Sequence, residues 1–438
     1  MISVLDLNKV KSKFNYISKK LIHSSINTYK KLDINNKKEL NTIVQNIIKN
    51  LTKYKYFDNI FCSYKNNNVK YILIKTNKVN INNIYGIDTS DEIKKKMNLE
   101  SLYHFTFDFG KGCKNIPITI YTSDKDNNTI NINKIMTRLY NLFTLYKNKN
   151  TSNYDLSLYN YIFYIYNNPR RANKDIFSQK LSSKDYLQKI NQSSLKCFNT
   201  SSGITSFNKM YIIVSRTEDI LGLLTHEILH GCGFINIDKS TTIHNISINF
   251  TEMIVNMFAA IVNTYLLCIE LNKPKLLSCF LLIELIHSIN HSIKYSILQK
   301  QSILTILNPN SKITLYQNAS IYEYIVGKMI FFIFFNKINK NKEFSNIFFS
   351  LNKSWDPRIF TYLDKYVIEQ YNIFLSNKKI LLLISNIEKI HLLNLSRYKD
   401  NNEICGNMLM QYYALDPINI NIDTIKKYKY NKMYGGGD

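Results

Sequence analysis

The residues best suited to chemistry form one run, His226-Glu227-Ile228-Leu229-His230. On a helix, residues i and i+4 lie on one face, so both imidazoles can reach the same metal ion. Glu227 is rotated by about 100° from His226, which places its carboxylate beside the metal rather than on it. Zinc held in this way lowers the pKa of a water to about 7, and the neighbouring carboxylate can take the proton. The chain has only eight His in 438 residues, so two of them at this spacing say more than the pattern alone. The competing reading of the same residues is a buried structural His pair bonded to backbone.

A catalytic zinc site needs a third protein ligand. In the pattern H-E-x-x-H-x-x-G-x-x-H, Gly233 matches but the last position is Asn236, a poor zinc ligand. In the gluzincin pattern the third ligand is a Glu on the next helix. Glu252 stands 22 residues after His230 (252 − 230) and leads a long apolar stretch. Glu252, Asn256, Asn263 and Glu270 fall within about 40° of one another on a helix. Glu252 is the expected ligand, with Asn256 one turn on as support for a ligand histidine. Asn263 and Glu270 read as a solvent face. His244, in the loop between the two helices, is the competing ligand.

Weaker candidates surround this one. Glu284, His287 and His291 give E-x-x-H-x-x-x-H, but with Asn290 and Lys294 they also make an ordinary polar helix face. A group that polarises a substrate carbonyl is expected as well; His287, His291, Tyr316 and Tyr322 are open choices among 32 Tyr. Phe107–Gly112 lacks the Gly-Lys-Ser/Thr ending of a phosphate loop. Cys197 and Cys232 are weak nucleophile candidates. Gly435-Gly436-Gly437-Asp438 reads as a flexible end or a Gly-Gly processing site.

Ser215 and Glu218 have the spacing of a capping box, and Asp219 adds negative charge in a first turn. Gly231 and Gly233 supply a stop, and Ile220, Leu221, Leu224 and Ile228 can bury the helix between them. Met253–Ile269 is the longest nearly apolar run; Asn256, Asn263 and Thr264 interrupt it, so a buried core helix is expected rather than a membrane span. Helical spacing recurs in residues 1–56. Tyr71–Ile74, Ile118–Tyr121, Tyr159–Tyr166 and Met210–Val214 read as strands, Asn133–Lys147 as a helix and Ser201–Gly203 as a turn. We expect an α+β fold in three parts: a helical and small α+β region at 1–130, a core at 131–300 and a mostly helical region at 301–438.

Composition bounds the partners. Apolar residues make up 45% of the chain, which excludes a mainly disordered protein. The formal charge is +25, from 57 Lys+Arg against 32 Asp+Glu. Only Arg138, Arg170, Arg171, Arg216, Arg358 and Arg397 are arginine, and Asn is about one residue in eight against one in twenty-five ordinarily. A nucleic-acid surface uses more Arg, so the charge reads as the codon bias of an A/T-rich genome and nucleic acid is not the favoured partner. Seven scattered Cys without a CxxC pair fit a reducing compartment rather than a disulfide framework. The first residues, MISVLDLNKVKSKF, lack the apolar run of a signal peptide.

Cys197-Phe198-Asn199, Ser202-Gly203-Ile204-Thr205, the strand Tyr211–Val214, Arg216-Thr217-Glu218, the H-E-x-x-H helix and a downstream Glu-led helix follow one another. Over residues 135–270 this order resembles a group of zinc metallopeptidases inferred in nucleocytoplasmic large DNA viruses. The chain departs from that pattern in Gly231-Cys232-Gly233-Phe234, and has Asn256 where a thermolysin-type gluzincin carries Asp. The resemblance implies a zincin-like core with helical flanks and one Zn²⁺ on His226, His230 and Glu252. It does not supply a substrate; from the site itself we expect a protein or peptide, with virion protein processing as the setting and the host cytoplasm or the virion as the place. In zincins an edge strand beside the active helix pairs with extended peptide, and Met210–Val214 is the expected strand. The alternative is a catalytically silent scaffold of the virion with a basic surface.

Overall fold

The helical spacing of the first 56 residues becomes two helices, α1 (Tyr16–Lys31) and α2 (Ile34–Lys53). Between them the Asp33 carboxylate accepts from the Asn36 N–H at 2.8 Å and caps α2. The computed structural model describes residues 14, 16–53, 70–76, 101–108, 116–122, 132–146, 156–165, 203–206, 210–215, 220–232, 240–271, 273–315, 321–338, 340–341 and 358–397. The fold is α+β, with helices predominating.

A six-stranded sheet holds β1 (Lys70–Thr76), β2 (Ser101–Asp108), β3 (Ile116–Thr122), β4 (Asn160–Ile165), β5 (Gly203–Ser206) and β6 (Tyr211–Ser215), in the order β1-β2-β3-β4-β6-β5. β1, β2 and β3 form an antiparallel meander. β3 and β4 are parallel, and the helix α3 (Ile132–Tyr146) lies in the crossover that parallel pairing requires. β6 adds parallel to β4, and β5 closes the row antiparallel to β6, Ile204 opposite Ile213. Four of these strands coincide with the apolar runs in the sequence. β2 and β5 were not expected. The first overlaps the Phe107–Gly112 stretch, whose residues 109–112 lie outside the described residues. The second begins where a turn was expected.

Beyond the sheet come α4 (Ile220–Gly231), a hairpin of β7 (Ser240–Ile243) and β8 (Ile246–Asn249), then α5 (Phe250–Glu270) and α6 (Leu277–Leu298). A short α7 (Ile303–Leu307), a π-helical turn (Glu323–Gly327) running into α8 (Lys328–Ile338), α9 (Arg358–Leu375) and α10 (Lys378–Arg397) complete the described chain. α5 and α6 are long and apolar enough to cross a membrane by length and composition, but nearly all of each is buried inside the fold. That is how the core helices of a layered domain are placed. α1, α2, α8 and α10 all pack on α6. The sheet runs across residue 130, where β3 pairs with β4, and the main apolar core runs across both 130 and 300, one cluster reaching from Tyr29 to Ile387.

Asn263, expected on a solvent face, and the polar face of α6 are both inside. Asn263 is buried, and its side-chain oxygen accepts from the Arg138 guanidinium of α3. Arg138 also reaches the Leu221 carbonyl of α4, so one buried cation ties α3, α4 and α5 together. On α6, Glu284, His287, Asn290, His291 and Lys294 are buried too, Glu284 in an ion pair of 3.1 Å with Lys328 of α8. Periodicity shows that a helix has a polar stripe. It does not show whether water or another helix lies against it.

Candidate metal centre

The first half of the site is α4. Its helical part runs from Ile220 to Gly231, with Leu224, Ile228 and Leu229 buried. A Cβ on Gly231 would sit 2.8 Å from Ile212 Cδ1, so a glycine lets the last turn lie against β6 without displacing that side chain. His226 and Glu227 are also buried in this helix. The capping pair expected at Ser215 and Glu218, and Gly233 with Asn236, fall at least partly outside the described residues.

The second half depends on a chain reversal. β7 and β8 are joined through His244-Asn245, and His244 sits at a φ of 55°, a conformation a two-residue hairpin turn requires and a side chain resists. It is held there from both sides: its Nδ1 lies 3.1 Å from the Ser311 carbonyl and its Nε2 2.9 Å from the Ile306 carbonyl. The Asn245 amide exchanges two hydrogen bonds with the backbone of Leu315. His244 therefore fixes the turn and is not brought to the candidate site. Asn249 then caps α5, its side-chain oxygen accepting from the N–H groups of Thr251 and Glu252. Glu252 comes out in the first turn, where the helix dipole favours a carboxylate.

The hairpin brings α5 against α4 so that His226, His230 and Glu252 converge. The two Nε2 atoms are 3.0 Å apart. Glu252 Oε2 lies 3.4 Å from His226 Nε2, and Oε1 lies 3.5 Å from His230 Nε2. Among the described residues, this is the one group of three or more His, Cys, Asp or Glu whose ligand atoms all lie within 4.8 Å of one another. Bonds of about 2.0–2.1 Å in a tetrahedron put neighbouring ligand atoms about 3.3 Å apart, so the three spacings and the N₂O donor set both suit a zinc-sized cation.

The charges interlock. Burial alone would raise the Glu252 carboxyl, but the two histidines outweigh it and hold Glu252 well below the usual carboxylate range. Burial would lower His230, and the facing Glu252 overcomes this and raises it. Glu227 is raised by burial, against the pull of His226, His230 and a hydrogen bond from Thr205. The surroundings thus favour the anion at Glu252 and keep Glu227 more basic than an ordinary carboxylate.

Asn256 does not do what its spacing suggested. Its amide donates to the Glu252 backbone carbonyl at 2.8 Å, one turn back on its own helix, instead of to a histidine ring. His226 is oriented instead by packing: Tyr324 stands edge-on to it, ring centroids 5.9 Å apart at 81°. Tyr324 belongs to the π-helical turn, a feature often found at functional sites. Glu323 in the same turn accepts from the Asn249 N–H at 3.0 Å, and Gly327 lies against Met253. No sequence signal separated Tyr324 from the other tyrosines. Of the earlier choices, Tyr322 is buried and bonded to the Tyr371 hydroxyl at 2.9 Å. His287 and His291 stack on each other in α6, with ring centroids 5.7 Å apart. Tyr316 lies outside the described residues, as do Cys197 and the terminal glycines. Cys232 is buried with its thiol on the Leu229 carbonyl.

β6, the strand expected to receive peptide, is flanked by β4 and β5. Among the described residues the edge beside α4 is β5, Gly203–Ser206. No protein-family model, curated protein or solved structure matches the chain.

Proposed function

We propose that the chain is a single-zinc hydrolase of gluzincin type on a zincin-like core, with peptide bonds as substrate. The observation that carries this reading is the convergence of His226, His230 and Glu252 from two helices, with Glu227 beside them and free of the ligand set. Zinc bound there would polarise the scissile carbonyl and acidify a water. Glu227 accepts the proton of that water and returns it to the leaving amine. Glu252 supplies the anionic ligand that offsets the charge of the cation. Tyr324, beside His226, is the candidate to donate a hydrogen bond to the oxygen on which charge develops. β5 is the edge strand among the described residues, and addition of an extended peptide there would bring it alongside α4. The motif resemblance to metallopeptidases of large DNA viruses supports the same chemistry and suggests virion protein processing as its setting.

The test is zinc content together with peptide hydrolysis. Purified protein is expected to hold about one zinc per chain, to lose it in Glu252→Ala, and to keep it in Glu227→Gln while losing chelator-sensitive hydrolysis. Zinc unchanged in Glu252→Ala removes the ligand assignment. Full activity in Glu227→Gln removes the base, and a zinc-loaded protein that cleaves no peptide favours the silent scaffold.

A further inference from the structure

Strand β5 reaches the site with two residues. Alternate residues of a strand share one face, so Gly203 and Thr205 point the same way, and that face meets Glu227 of α4. The Thr205 hydroxyl lies 2.7 Å from Glu227 Oε2 and 2.9 Å from the Glu227 backbone carbonyl. The carboxylate is the stronger acceptor for its single proton. The contact thus spans the residue from main chain to side-chain tip, which fixes the rotamer of a side chain with three free torsions. On the same face, a Cβ at position 203 would stand 2.7 Å from Glu227 Cδ and 2.8 Å from Cγ. The space next to the carboxylate exists because residue 203 is glycine. The two residues act in complementary ways: one holds an oxygen, the other leaves room for the rest of the group.

We propose that β5 is the element that positions the base: Thr205 anchors Glu227 and Gly203 makes the pocket its carboxylate occupies. This rests on the reading of Glu227 as base. Neither residue contacts the three converging side chains through any of these bonds, so both are positioning residues and the metal set should not depend on them. The arrangement also assigns β5 two tasks. Its outer edge is the candidate peptide-pairing edge, and its inner face sets the group that activates water. A peptide that shifted β5 on docking would move Glu227 with it, which ties correct strand pairing to competence of the base.

The experiment compares wild type, Thr205→Val, Thr205→Ser and Gly203→Ala as full-length, zinc-loaded protein, by zinc content, kcat and KM on a peptide substrate, and crystal structures. Zinc is expected to stay at about one per chain in all four. Thr205→Val should lower kcat about 10–100-fold, the range seen when a partner that orients a metal-site group is lost, with KM within about twofold. Thr205→Ser should recover most of that loss, because it restores the hydroxyl. Gly203→Ala should lower kcat at least as much, since the flexible Glu227 side chain yields before the strand does. In the Thr205→Val crystal structure Glu227 should leave its wild-type rotamer. The proposal is overturned if kcat is unchanged in Thr205→Val, or if Thr205→Ser is as impaired as Thr205→Val. It is also overturned if Glu227 keeps its rotamer in both Thr205→Val and Gly203→Ala. If wild type cleaves nothing, the peptidase reading fails, and the rotamer comparison alone decides whether β5 positions Glu227.

Discussion

His391 lies in α10 with 2% of its surface exposed, and neither ring nitrogen has a hydrogen-bond partner among the described residues. Burial first, then the charge of Lys294 and the neighbouring His287, push it down to about 3 from the ordinary 6.5. The folded chain therefore keeps this ring neutral over a range where the unfolded chain protonates it. Linkage fixes the sign: the contribution is fully present above about pH 6.5 and is lost progressively as pH falls toward the folded value. Between pH 7 and pH 5 the unfolded state gains about 1.5 log units of proton binding that the folded state cannot match, or about 2 kcal/mol. Against a total stability of about 5–15 kcal/mol that is a large fraction. The perturbation is His391→Leu, which is close in size and cannot titrate. At pH 7 it should be neutral or slightly stabilising, because it removes unpaired buried polar atoms. Urea denaturation at both pH values reads the difference. Wild type should lose about 2 kcal/mol more than His391→Leu on going from pH 7 to pH 5. Parallel losses in the two proteins would refute the reasoning, since every other titrating group is common to both.

Three further outcomes follow from contacts around the site and the helical layer. Lys328→Met removes the buried cation paired with Glu284 and should cost about 3–5 kcal/mol, whereas Glu284→Leu with Lys328→Met should recover most of it, read as denaturation midpoints. Asn249→Ala removes the cap of α5 and should cost about 1 kcal/mol. It should also weaken zinc binding in a competitive chelator titration, because the first turn carries Glu252, while Asn249→Asp retains both. Gly327→Ala drives a methyl into Met253, next to Glu252, and should destabilise by about 1–3 kcal/mol despite the better helix propensity of Ala. A thermal midpoint at or above wild type would contradict that contact.

What was legible in the chain follows from what local patterns encode. The H-E-x-x-H spacing, the apolar length of α5 and four of the six strands of the main sheet are properties of single elements, and periodicity reads those directly. β5 was missed because four residues, Gly203 to Ser206, are too few for an alternation to rise above turn-like composition. The short β7–β8 hairpin was missed for the same reason, its turn being built from His244 and Asn245 with no glycine. These two small elements decide the site. The hairpin reverses the chain, so that a separation of 22 residues from His230 to Glu252 becomes 3.5 Å between side chains. β5 turns a Gly-x-Thr sequence, otherwise readable as a loop, into the wall against which Glu227 rests. The polar stripes of α5 and α6 were visible as stripes, and their burial was not, because the covering groups, Arg138 and Lys328, come from helices 125 and 44 residues away. Which side chains can converge is thus readable from residue type and helical offset, while the placement of Glu227, the turn and the buried charges depends on long-range partners that no window of sequence contains. For that reason the decisive perturbations are those at Thr205, Gly203 and Asn249, which leave every candidate ligand in place and alter only how the fold presents them.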